Sequence, residues 1–167
     1  MFQLDTDPEF DSNRPHPLVG FWQLVSVTAI AADGTADAEI YGPSPVGYLT
    51  YTPGGHMMVM FAKSDRPPLS GSPTTPFALG AIPDAELAQA FAGFSAYAGT
   101  YTVDGNTVYH HLTTASLPNR VGTTLVRRFS LSGDALAEPP GERLTLSTPA
   151  TKTDSGTQIF ELVWEHR

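Results

Sequence analysis

Residues 99–112 read GTYTVDGNTVYHHL, and the fold turns on this stretch. Threonine, tyrosine and valine alternate on both sides of Asp104 and Gly105. An Asp-Gly pair between two alternating runs is the strongest short-range signal for a β-hairpin, because glycine accepts the positive φ of a tight turn. Side chains alternate across a strand with period two, so a two-residue turn puts Tyr101 and Val103 on one face with Val108, His110 and Leu112. The opposite face collects Thr100, Thr102, Thr107, Tyr109, His111 and Thr113. The first face is the apolar one, so His110 is expected to point inward and His111 outward. A bulge or a three-residue loop would exchange them. Because the two histidines are adjacent, one of them faces inward in either register, and the same holds for Arg127 and Arg128.

The pattern continues in both directions. Alternating runs predict strands over 20–31, 46–52, 56–61, 99–103, 107–115, 123–131, 143–148 and 158–165, with room for a short extra strand after the turn at Ala32, Asp33 and Gly34. Pro53, Gly54 and Gly55 supply another tight hairpin. One segment has helical period: Asp84 as N-cap after Pro83, then Leu87, Phe91, Phe94 and Ala98 as one apolar stripe. Gly93 weakens that helix by roughly 1 kcal/mol relative to Ala. The proline-rich residues 62–83 before it read as an ordered loop or lid, with disorder as the alternative. Eight sequential antiparallel strands favour an all-β, up-and-down barrel, since closure removes unpaired edges. The expected architecture is thus a single eight-stranded antiparallel barrel with one helix between strands three and four. A two-sheet sandwich is the competing arrangement.

Composition bounds the function. The 167 residues suit one domain. Seventeen acidic against nine basic residues give a net charge of -8, which disfavours partners that are nucleic acid or anionic membrane. The absence of cysteine removes disulfides, thiolate metal ligands and cysteine nucleophiles. Residues 1–16 lack the basic and apolar regions of a secretory signal, and Asp7, Pro8, Glu9 and Phe10 resemble translated cloning-site sequence. They are set aside as a disordered or vector-derived extension, leaving 17–167 as the barrel domain. Without an export signal or cysteines, the default localisation is cytoplasmic.

Strand parity also selects an interior. Phe160, Leu162 and Trp164 oppose Glu161 and Glu165 on the last strand, so the aromatic face turns inward. Leu144 and Leu146, then Leu125, Phe129 and Leu131 with Arg127 among them, and Trp22 with Leu24 follow the same logic. The expected ligand-facing set is Trp22, Tyr51, Met58, Met60, Tyr101, His110, Arg127 and Trp164. It holds no Asp or Glu, so paired-carboxylate hydrolysis has no pair to use. No phosphate loop, dinucleotide fingerprint, helical zinc spacing or nucleophile elbow occurs, and neither cofactor nor metal is expected. Each polar member also has a purely structural reading. His110 can be a buried histidine satisfied by a tyrosine or the backbone. Arg127 can stack on Trp22 within ~6 Å and help close one end. The cluster of Met57, Met58 and Met60 can be core filler.

Several of these residues also form a recognisable series. Leu18, Val19, Gly20 and Trp22 open it, followed by Pro45, Val46, Gly47, Tyr48, Leu49 and Tyr51. Asp65, Arg66, Pro67 and Pro68 come next, then Phe91, Gly93, Tyr97, Gly99 and Tyr101. Val103, Asp104 and Gly105 lead to His110 and His111, and Pro118, Asn119, Val121, Gly122 and Thr123 to Arg127, Arg128 and Phe129. Over roughly 17–166 the chain resembles the small bacterial and fungal lipocalin-like domain family. The resemblance implies a stand-alone barrel and carries no shared catalytic residues.

Three readings follow as expectations. The first is a barrel that binds a small, mostly hydrophobic or aromatic molecule, marked by an interior of at least ~300 Å³. The second is a cofactor-free cyclase or isomerase, with His110 moving a proton and Tyr101 or Tyr51 hydrogen-bonding a carbonyl or enolate oxygen. A barrel filled by its own side chains is the third, and a homodimer stays open.

Overall fold

The computed structural model describes residues 15–134 and 141–167. Most of the expected amino-terminal extension, 1–14, lies outside the described residues. Ten strands form one sheet: β1 (Gly20–Ala31), β2 (Ala36–Asp37), β3 (Val46–Tyr51), β4 (His56–Ala62), β5 (Phe94–Asp104), β6 (Thr107–Ala115), β7 (Thr124–Asp134), β8 (Gly141–Ser147), β9 (Thr151–Thr153) and β10 (Gly156–His166). Eight of them, β1-β3-β4-β5-β6-β7-β8-β10, run antiparallel around a barrel that closes where β10 pairs back onto β1. The short strands β2 and β9 hang on β1 and β10 outside the ring.

The helix α1 (Asp84–Ala92) corrects the expected order, because it lies between β4 and β5 and not between strands three and four. The two-residue strand β2, outside the eight-strand count, shifts the numbering. Asp84 is the first helical residue and not the N-cap; Pro83 takes the cap position without a side-chain bond. The helix stops at Gly93, and Phe94 and Ala98 belong to β5, where pairing with Ala62 and Met58 of β4 overrides their helical spacing. The helix buries none of its residues and is fastened by the preceding loop. Glu86 accepts from the Ser70 amide at 2.8 Å, and Arg66 donates to the Ala90 carbonyl while lying 5.3 Å over the Phe94 ring.

The hairpin that decides the fold turns on Gly105 and Asn106, one residue beyond the Asp-Gly pair, with Asp104 opposite Thr107. Gly105 has φ +55°, as the first position of a type II′ turn requires. Parity is preserved, so Val103 faces Val108 and Tyr101 faces His110. Two irregularities then redirect side chains. Val25 is an extra residue between Leu24 and Ser26, which moves the inward positions of β1 from Trp22 and Leu24 to Val27 and Ala29. Thr113 is extra opposite Ala98 and Gly99. A Cβ on Gly99 would run into the His111 carbonyl there, so only glycine fits the close approach.

On β4 the inward residues are Met57, Val59 and Phe61. Met58 and Met60, expected inside, are 51% and 41% exposed. The loop from Thr52 to His56 sets Tyr51 opposite Met57, and directly opposed residues share a face. Met58 and Met60 therefore join Phe21 and Tyr48 on the outer wall, where the Phe21 and Tyr48 rings stack at 5.4 Å. Leu131 is also exposed by more than a third.

The two ends of the barrel differ. One is plugged by Trp22, Tyr51, Met57, Val108 and Leu144, with Leu18 laid across them and accepting a 2.9 Å bond from Trp22 Nε1 on its carbonyl. The strands run from this plug toward a less filled end. Among the described residues no helix is long and apolar enough to cross a membrane.

Candidate ligand site

The less filled end holds a cavity of about 150 Å³, or about 690 Å³ of empty space when its open mouth is included. The smaller volume is half the ~300 Å³ expected of an open ligand site. Its wall comes from all eight barrel strands. Val27, Leu49, Val59 and Phe61 form one apolar side, and Leu146, Phe160, Leu162 and Trp164 another. Tyr97 and His110 join them from β5 and β6, and Tyr41, Arg120 and Arg127 reach in from a loop, a 3-10 turn and β7.

His110 is the one buried polar residue among the described residues. Its Nε2 lies 2.7 Å from the Tyr51 hydroxyl, while Nδ1 has no partner. Burial first, then the charges of Arg127 and His111, pull its pKa down to about 3. Burial also pushes the Tyr51 phenol well above its ordinary value, with Tyr97 and Tyr101 adding to the rise and Arg127 opposing it. Both groups are neutral at pH 7. The imidazole is thus a weak base there. Trp164 Nε1 is the second buried nitrogen without a partner. His111 contrasts with its neighbour: it points outward and uses both ring nitrogens, bonding Thr102 at 2.9 Å and Thr124 at 3.0 Å.

The eight residues expected to face a ligand fall in four places. His110, Arg127 and Trp164 line the cavity. Tyr51 stands behind His110, and Tyr101 one ring further toward the plug, 4.8 Å from Tyr51 and donating its hydroxyl to the Thr52 carbonyl. Trp22 belongs to the plug, and Met58 and Met60 to the outer surface. The expected stack of Arg127 on Trp22 does not form. Among the described residues the guanidinium-ring contacts are Arg66 over Phe94 and Arg120 over Tyr97, and Trp22 meets the His166 ring edge-on at 4.9 Å. Arg127 instead donates from Nη1 to the Val126 carbonyl at 2.8 Å.

A local gap in the sheet explains where Arg127 sits. Pairing of β7 with β8 begins at Arg128 opposite Ser147, so residues 124–127 pair with β6 alone. Tyr41, Tyr97 and Arg120 were not among the expected site residues. Tyr97 shares parity with Tyr101, which a strand beginning at Phe94 would reveal. Tyr41 and Arg120 sit on turns, where no periodicity marks a facing direction.

Among the described residues no group of three or more His, Cys, Asp or Glu could hold a metal ion. A family model described as a lipocalin-like domain matches residues 19–167. Comparison with curated proteins and with solved structures gives no match.

Proposed function

The chain belongs to the lipocalin-like domain family, and from that premise we propose that its barrel binds one small, mostly hydrophobic or aromatic molecule. The observation that carries this reading is the interior cavity of about 150 Å³. An apolar cavity of about that size holds one benzene ring. A single ring would enter among Leu49, Val59, Phe61, Leu146 and Trp164, and any further part of the ligand would occupy the mouth. Each apolar Å² removed from water contributes about 25 cal/mol, so a ring buried on all sides is held by the wall itself. His110 supports the reading as an orienting group, because a neutral imidazole with one unpaired nitrogen can meet a polar substituent.

The cofactor-free cyclase or isomerase would need His110 as its proton carrier. A pKa of about 3 leaves that imidazole far from the optimum for general base catalysis at pH 7.

The test is ligand-observed NMR with benzyl alcohol and phenol at about 1 mM, on the wild type and on Val59→Phe, which fills the cavity. Saturation transfer to the wild type and its loss in the folded variant are expected. Equal signals from both proteins would place binding elsewhere and overturn the proposal.

A further inference from the structure

The cavity is mostly apolar, and the charge on its wall has a single sign. Arg120 and Arg127 both line it, and among the described residues no Asp or Glu does. This is unexpected in a chain with a net charge of -8, in which a carboxylate would be the easiest counterion to supply. Among the described residues the ion pairs lie elsewhere, both on Glu165, with Arg143 and Arg167. Arg127 has its backbone contact at Val126, and Arg120 lies with Cζ 5.7 Å above the Tyr97 ring. A guanidinium over an aromatic ring can present its edge donors to a ligand. The positive field reaches the cavity floor, since Arg127 opposes protonation of His110 and favours ionisation of Tyr51. Partly buried cations without a carboxylate partner are costly, and a site that keeps two of them is suited to an anion brought from outside.

Building on the ring-binding reading above, we propose that the ligand is a compact aromatic carboxylate, its ring in the cavity and its anionic group held by Arg120 and Arg127 at the gap between β7 and β8. The planar carboxylate matches the forked donors of a guanidinium. The neutral His110 adds no charge of its own. The cavity size limits the buried part to about one ring, so longer acids would leave their chain in the mouth.

The experiment compares benzoate, benzyl alcohol and benzylamine by ligand-observed NMR titration at pH 7 and low salt. Benzoate is expected to bind about tenfold tighter than benzyl alcohol, the order of one charge-assisted hydrogen bond, and benzylamine more weakly than either. Arg127→Gln and Arg120→Gln should each bring the ratio of benzoate to benzyl alcohol affinity, measured on the same variant, down from about tenfold toward one. Arg127→Lys should retain part of the preference, and serves where the glutamine variant fails to fold. Benzyl alcohol binding as tightly as benzoate would overturn the anion assignment and leave the ring site intact. Failure of all three to bind would overturn both.

Discussion

Tyr51 on β3 and His110 on β6 form a hydrogen-bonded neutral pair: 2.7 Å separates hydroxyl and Nε2, and burial opposes the charged form of each. The pair forms the boundary between the plugged end and the cavity, so its hydrogen bond stabilises the plug and fixes the floor of the site together.

Tyr51→Phe removes the partner of Nε2 and leaves a fully buried imidazole unsatisfied. A loss of about 1–3 kcal/mol is expected in urea unfolding. His110→Leu alone should cost a similar amount, and the double variant clearly less than the sum. Strict additivity of the two would mean the bond contributes nothing.

Stability should fall with acid well before carboxylates protonate. An unfolded histidine takes a proton below about pH 6.5, whereas folded His110 does so only near 3. Between those values the unfolded state holds more protons, so stability rises with pH there by up to about 1.4 kcal/mol per unit. The contribution is complete above about 6.5 and is lost as pH drops toward 3. His16, also lowered by burial, acts in the same direction. Urea midpoints measured from pH 7 to 4 should decline in the wild type and decline less steeply in His110→Gln. Parallel declines would show that His110 is not the group responsible.

The two neighbouring methionines give a register test. Met57→Gln places an amide in the core and should cost about 2 kcal/mol or more. Met58→Gln faces water and should stay within about 0.5 kcal/mol of the wild type. The reverse order of thermal midpoints would turn β4 over.

Trp22→Ala should cost about 3–5 kcal/mol, because it deletes a fully buried ring from the plug and frees the Leu18 carbonyl. Benzyl alcohol binding should survive wherever the variant folds, since Trp22 is not on the cavity wall. Binding lost in a folded Trp22→Ala protein would contradict the separation of plug and site.

The barrel was legible because alternation and turn chemistry agree over the whole chain. His110 was placed correctly because a two-residue turn fixes parity, and that parity held although the turn slid to Gly105 and Asn106. Met58 and Met60 were misplaced because nothing in Pro53, Gly54 and Gly55 states that Tyr51 will oppose Met57. Val27 and Ala29 were missed because the bulge at Val25 leaves no mark in the alternation. Phe94 and Ala98 carried a helical spacing that pairing with β4 outweighed. The site was less legible than the fold, since Tyr41 and Arg120 reach it from irregular backbone. Arg127 was legible in direction but not in destination, because the gap beside it depends on where β8 stops.

The ring is sewn shut by its first and last long strands, with Trp22 opposite His166 and Ala31 opposite Gln158. During synthesis the growing chain can pair β3 to β8 one after another, by short hairpins except for β4 with β5, which are joined through the loop carrying α1. The seam cannot form until residues 156–166 have left the ribosome, and until then β1 and β8 are both open edges able to pair with another chain. Nor can the seam form early by chance, because it joins residues nearly a whole chain apart, the kind of contact that slows folding most. A nascent molecule stalled just short of β10 would therefore hold most of its sheet and no enclosed interior, and the interior closes only once β10 pairs with β1.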